Sequence, residues 1–195
     1  MPLTKPAVFL DRDGVLIEDV HLLTHPDGIR ILTGVPEALQ RLKDRGYLLI
    51  VVSNQTVVAR GLLSEQELRI LQGRVESCLV KAGAPSIDGV FFCLHHPSAT
   101  IPAYRVVCDC RKPRSGLLLR AAREQSIDLS ASFMVGDRLT DIAAGAKVGC
   151  RTVLVQTGAH LAPPIESSGP LDLAITPNFV CEDLREAANW ILSAN

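Results

Sequence analysis

Three short apolar runs in this chain each end abruptly on polar residues: "AVFL" gives way to "DRDG", "LLIVV" to "SNQ", and "FMV" to "GD". Apolar runs this short, with no polar alternation, read as strands hidden on both faces. Between them lie stretches with apolar residues at helical spacing. "GVPEALQRLKDRGY" shows it from Val35, with Gly46 as a stop signal. The next helix opens with Ser64 and Glu67 at the spacing of a capping box. "SGLLLRAAREQ", "TDIAAGAKVG" and residues 182–193 make three more. Strands are expected at residues 7–11, 48–54, 89–93, 132–137 and 151–158, and a last one at "LAI" near Leu173, after a proline-rich surface loop at 162–170. Strands alternating with helices describe an α/β fold of three layers, α/β/α, around a parallel central sheet.

With 195 residues and neither an internal repeat nor a low-complexity linker, one domain is expected over 1–195. No apolar run approaches the roughly 20 residues of a membrane helix, and the N-terminus lacks the features of a secretory signal. A cytoplasmic protein without a membrane partner is expected. The net charge of −1, with no basic block, argues against nucleic acid. Nothing in the sequence demands more than a monomer. Six cysteines in a reducing compartment should be free of structural disulfides. Cys78, Cys150 and Cys181 stand alone and are expected to be buried as small hydrophobes.

Ligands in open α/β sheets bind at the carboxyl ends of the strands. A polar residue at any one end is most simply a strand exit or a helix cap. Three such ends together, plus a lysine in "CRKP", point to chemistry. Asp11 and Asp13 lie two apart, and carboxylates so close raise each other's pKa unless a cation neutralises them. Mg²⁺, which prefers hard oxygen ligands and few carboxylates, suits the pair, and Asp137 can complete the site. One carboxylate can act as a nucleophile toward phosphorus while the other handles the proton.

A second cluster, "CLHHPSATIPAYRVVCDCRKP", gathers Cys93, His95, His96, Cys108 and Cys110. Three thiolates and one imidazole, from His95 or His96, form a closed set suited to structural Zn²⁺. A redox role would call for C-x-x-C, which this segment lacks, and a disulfide is disfavoured by compartment.

The ordered set "DRDGV", "SN", "K", "GDxxxD" resembles the haloacid dehalogenase (HAD) superfamily, which implies a Rossmann-like HAD core. The resemblance implies that Asp11 is the nucleophile and a Mg²⁺ ligand, and that Asp13 is the general acid/base, binding Mg²⁺ through its carbonyl. Ser53 would bond the transferring phosphoryl group, Lys112 offset its charge, Asp137 hold Mg²⁺, and Asp141 stand behind these ligands. "FFCLHHP…CDCRKP" further resembles the branch of heptose 1,7-bisphosphate phosphatases and histidinol-phosphate phosphatases. That implies a zinc loop over 93–110, held by Cys93, His95, Cys108 and Cys110, which aims Arg111 and Lys112 at the phosphate.

About forty residues separate Asp13 from Ser53, too few for a cap domain. A capless enzyme must select a small phosphorylated substrate with its loops, here 19–25, 55–61 and Arg111. The candidate substrate contacts are Arg12, Asp19, Asn54, Gln55, Thr56, Arg111 and Arg138, with Arg60 a weaker candidate for a second anionic group. The loop 18–28 and Val57 depart from the heptose-phosphatase pattern and are expected to enlarge or dry the rim. His21 and His25 are candidate contacts there. The expected reaction is Mg²⁺-dependent hydrolysis of a sugar phosphate through an aspartyl-phosphate, with heptose 1,7-bisphosphate losing its 7-phosphate. Histidinol phosphate is the alternative substrate, and a non-catalytic, zinc-stabilised binding protein the alternative of another class.

Overall fold

Side chains alternate across a strand, so an apolar run buries one set on each face of a sheet. Residues 4–159 and 175–194 are described by a computed structural model of the chain. β1 (Ala7–Leu10), β2 (Leu48–Asn54), β3 (Gly89–Cys93), β4 (Phe133–Gly136), β5 (Arg151–Val155) and β6 (Phe179–Cys181) form one sheet. Its order is β3-β2-β1-β4-β5-β6, and each neighbouring pair is parallel. All four residues of β1 are fully buried, and the strand splits its side chains between two cores.

Val8 and Leu10 join Leu49, Val51 and Val135 under α1 (Val35–Asp44), α2 (Glu65–Lys81) and α5 (Leu184–Ser193). Ala7 and Phe9 join Ile50, Val52 and Met134 under α3 (Gly116–Gln125) and α4 (Leu139–Ala146). This is the expected three-layer α/β/α arrangement. α2 begins with the capping box read from the sequence: Ser64 Oγ accepts from the Glu67 amide while Glu67 Oε2 accepts from Ser64 N–H.

The strand expected near Leu173 and the loop 162–170 lie outside the described residues. Phe179–Cys181, which was not expected as a strand, forms the sheet edge beside β5. Three residues, with Val180 half exposed, are too short a run for periodicity to register. Cys150 and Cys181 are buried as expected, whereas Cys78 is only half-buried against the core. Among the described residues, no helix is long and apolar enough to cross a membrane.

Strand order reverses between β1 and β4: the chain runs from β1 outward to β3, then returns to the other side of β1. A crevice opens at the carboxyl ends of strands on either side of such a switch. Asp11 follows β1 and Asp137 follows β4, so the topology alone makes these acids neighbours. α4 supplies a third, Asp141, and reaches the sheet through Gly145. A Cβ at Gly145 would lie 2.5 Å from Met134 Cβ and 3.1 Å from Thr152 Cγ2. Ala ordinarily outranks Gly in a helix by about 1 kcal/mol, but overpacking here costs about 1–3 kcal/mol. Gly145→Ala should therefore lower stability, read as a lower urea midpoint at unchanged m.

Candidate active site and metal cluster

The carboxylates of Asp11, Asp137 and Asp141 converge at the switch point. Each offers an oxygen, and these three atoms lie within 4.8 Å of one another. Gly14 permits the approach: with φ at 78° it takes a left-handed turn, and a Cβ there would meet Asp137 Oδ2 at 2.6 Å. The loop after β5 closes the other side, where the Ala159 amide donates to Asp137 Oδ2 at 2.7 Å and Thr157 Oγ1 to the Gly14 carbonyl at 2.6 Å. Sequence reasoning missed this loop, although its position at a strand end was a usable signal.

Lys112 is the cation of the group. Its ammonium sits 2.9 Å from Asp11 Oδ2, 2.6 Å from Asp141 Oδ1 and 2.8 Å from the Val52 carbonyl, with 1% of the residue exposed. Burial works against its charge, but Asp11 and Asp141 outweigh that and hold its pKa above the usual lysine range. Asn54, read from the sequence as a substrate contact, clamps the Lys112 backbone: its Nδ2 donates to the Lys112 carbonyl and its Oδ1 accepts from the Lys112 amide, both at 3.1 Å.

One ammonium against three carboxylates leaves two negative charges, eased only at the edge by Arg138, 4.0 Å from Asp137. Like charges under 5 Å apart repel by about 3–4 kcal/mol at an effective dielectric near 20. The protein responds by holding protons. Burial, then Asp11 and Asp141, push Asp137 up to about 7, and burial, opposed by Lys112, pushes Asp141 up to about 6. Asp137 Oδ1 is buried and has no hydrogen-bond donor among the described residues. Hard oxygens, a deficit of two charges and a buried oxygen lacking a donor fit a divalent cation of the Mg²⁺ type.

Asp13 stands beside this cluster and is not part of it. Its carboxylate accepts from Arg12 Nε and Nη2 at 2.9–3.2 Å and from Gln55 Nε2 at 2.7 Å. Burial raises its pKa against the opposing pull of Arg12. Gln55 Nε2 also donates to Ser53 Oγ at 3.1 Å, at the end of β2. Arg12 and Gln55, expected at the substrate, are instead buried and bonded inward.

The rim comes from three loops. Asp19 Oδ2 lies 3.4 Å from Arg138 Nη2, which draws both candidates into an ion pair with each other. His21, at φ 69°, and His25 are exposed beyond it. Thr56 is half-buried and Arg60 exposed. Arg111 is buried, and its Nη1 donates to the His95 carbonyl at 3.3 Å. Val57 corrects an expectation: it does not border the rim but is 1% exposed in a small apolar cluster with Val58 and Leu68, against Leu22, Leu94 and Tyr104.

Cys93, His95, Cys108 and Cys110 converge as the second set. The three sulfurs lie 3.1–3.6 Å apart, and Cys110 Sγ is 3.4 Å from His95 Nδ1. These separations exceed the ~2.05 Å of a disulfide and approach the ~3.8 Å edge of a tetrahedron with Zn–S bonds of 2.3 Å. Crowding splits the thiols: the bond shared with Cys93 draws Cys110 down to about 5 against burial, while Cys93 is held high. His96, the alternative donor, faces elsewhere, its Nδ1 accepting from the Ser98 amide at 3.1 Å.

Residues 109–187 match the family model described as HAD-hydrolase-like. The chain is 44% identical to the D-glycero-beta-D-manno-heptose-1,7-bisphosphate 7-phosphatase of Photorhabdus laumondii, over 85% of this chain and 88% of that one. It is 35% identical to the protein of that name from Yersinia pestis, over 100% and 93%. The solved structure of D,D-heptose 1,7-bisphosphate phosphatase from B. bronchiseptica, complexed with magnesium and phosphate, superposes with a TM-score of 0.79 at 31% identity, covering 97% of this chain and 99% of that one.

A proton-to-cation exchange follows from the acid cluster. Asp137 and Asp141 contribute stability to the metal-free protein below their unfolded pKa near 3.8, and lose it as pH rises through about 6–7. A divalent cation that displaces those protons should stabilise more as pH rises. Added Mg²⁺ is expected to raise Tm more at pH 8 than at pH 5.5, as followed by differential scanning fluorimetry.

Proposed function

Since the chain belongs to the D-glycero-beta-D-manno-heptose-1,7-bisphosphate 7-phosphatase family of HAD-type hydrolases, we propose that it removes the 7-phosphate from heptose 1,7-bisphosphate. The observation that carries the phosphatase reading is the convergence of Asp11, Asp137, Asp141 and Lys112 where the sheet reverses its strand order. The substrate reading rests on relatives matched over most of the chain, which favour heptose bisphosphate over histidinol phosphate. A non-catalytic scaffold is disfavoured, because such a protein has no use for three acids crowded in burial around one ammonium.

The residues divide the reaction between them. Asp11 attacks the phosphorus in line, forming an O–P bond as the ester O–P bond breaks, and the Asp13 carboxyl gives its proton to the departing sugar oxygen. Water then attacks the phosphorus of the aspartyl-phosphate, Asp13 takes its proton, and Asp11 is released with inorganic phosphate. Ser53 donates its hydroxyl proton to a phosphoryl oxygen, and the Lys112 ammonium offsets the charge that spreads over those oxygens. Mg²⁺, held by Asp11, Asp137 and the Asp13 carbonyl, supplies further positive charge to the phosphoryl group when bound. Asp141 holds Lys112 toward Asp11.

Residues 93–110 form a zinc clip in this reading. Cys93, His95, Cys108 and Cys110 complete a four-donor set, so Zn²⁺ there is structural. The clip fixes the segment that continues into Arg111 and Lys112. Arg111 and Arg60 both depress His96, after burial, so positive charge gathers on that wall, where a second phosphate of the substrate would rest. We read the chain as a single capless catalytic domain, working on a small cytoplasmic substrate in heptose precursor synthesis for lipopolysaccharide or related glycans.

Phosphate release from heptose 1,7-bisphosphate with Mg²⁺ tests the assignment. Its kcat/KM should exceed that for histidinol phosphate, and the reverse order would remove the sugar. Asp11→Asn, nearly the same size, should keep the fold and lose turnover by at least about a thousandfold. Cys108→Ala should release zinc and lower Tm, with kcat falling as Lys112 loses its anchor. Metal analysis and thermal melts on the same preparation check this.

A further inference from the structure

Neither Arg12 nor Gln55 has surface with which to meet a substrate. They are 1% and 3% exposed, and both turn toward Asp13. Arginine can only donate hydrogen bonds, so the Gln55 atom 2.9 Å from Arg12 Nη2 must be the carbonyl oxygen, Oε1. That fixes the amide's sense, and its NH2 group necessarily faces Asp13 Oδ2 and Ser53 Oγ. Asp13, Arg12 and Gln55 thereby close a ring of hydrogen bonds around one carboxylate, whose side chain remains a quarter exposed. The Arg12 guanidinium also lies over the Phe92 ring, at 5.9 Å, so the far side of the ring of bonds rests on β3.

The ring has a second anchor. The Gln55 amide N–H donates to the Cys93 carbonyl at 2.8 Å. The backbone of Gln55 is therefore tied to a residue of the Cys/His cluster, while its side chain holds the carboxylate at the end of β1.

We propose that Gln55 is a positioning residue for proton transfer: it holds the Asp13 carboxyl toward the leaving oxygen, and it is itself registered by the backbone of the cysteine cluster. This rests on the reading of Asp13 as the acid that protonates the departing group. With Gln55 gone, Arg12 still binds Asp13 but no longer from a fixed place, and the proton reaches the leaving group less efficiently. A leaving group that departs well as an anion needs no such proton.

The test uses aryl phosphates of similar size and graded phenol acidity, with Mg²⁺ present, comparing wild type, Gln55→Leu and Asp13→Asn. For Gln55→Leu, kcat/KM on phenyl phosphate should fall about 10- to 100-fold while that on p-nitrophenyl phosphate stays within about threefold, which steepens the dependence on leaving-group pKa. Zinc content and Tm should stay near wild type. Equal losses across the series, or a change in KM alone, would overturn the inference, since packing or substrate contact would produce those. If Asp13→Asn itself leaves the slope unchanged, the acid assignment fails and this inference falls with it. Should Gln55→Leu not fold, Gln55→Glu keeps the size, replaces both donors with an acceptor, and is expected to steepen the slope likewise.

Discussion

Three carboxylates buried beside one ammonium set the terms for everything around them. Asp11, Asp137 and Asp141 come from a strand end, another strand end and a helix, and the fold brings them together at electrostatic cost. Lys112 answers only part of that cost, although it gives Asp11 and Asp141 a partner at 2.9 and 2.6 Å. The remaining charge makes the site receptive to a divalent cation and, beyond it, to the oxygens of a phosphate ester.

Lys112 matters out of proportion to its size because it belongs to no regular element. It follows a segment of single turns and bends, two residues after the Cys/His cluster, and Asn54 clamps its backbone. Gln55 reads the same cluster through the Cys93 carbonyl. Two consecutive residues at the end of β2 thus tie the cysteine cluster to the acids, one through the cation and the other through Asp13.

Most of the framework could be read from the chain because its signals are local. Unbroken apolar runs located five strands, helical spacing located five helices, and the Ser64–Glu67 pair located a helix start. Phe179–Cys181 escaped because three residues at a sheet edge carry no period. The charged centre was legible as well, since strand ends at a topological switch must converge. Side-chain direction was not. Arg12, Asn54 and Gln55 adjoin the proposed catalytic positions in sequence, yet each bonds into the protein, and only three-dimensional packing decides that. Val57 was misplaced for the same reason: adjacency to Ser53 says nothing about which way a loop residue points.

The small apolar cluster that swallows Val57 has its own consequence. Leu22 comes from the loop after β1, Val57 and Val58 from the loop after β2, and Leu94 and Tyr104 from the cysteine segment, so three walls of the crevice share one patch of mortar. Such walls cannot drift separately during divergence. A change of ligand preference in this architecture has to arrive as matched replacements on several segments, whereas the acids beneath can stay untouched.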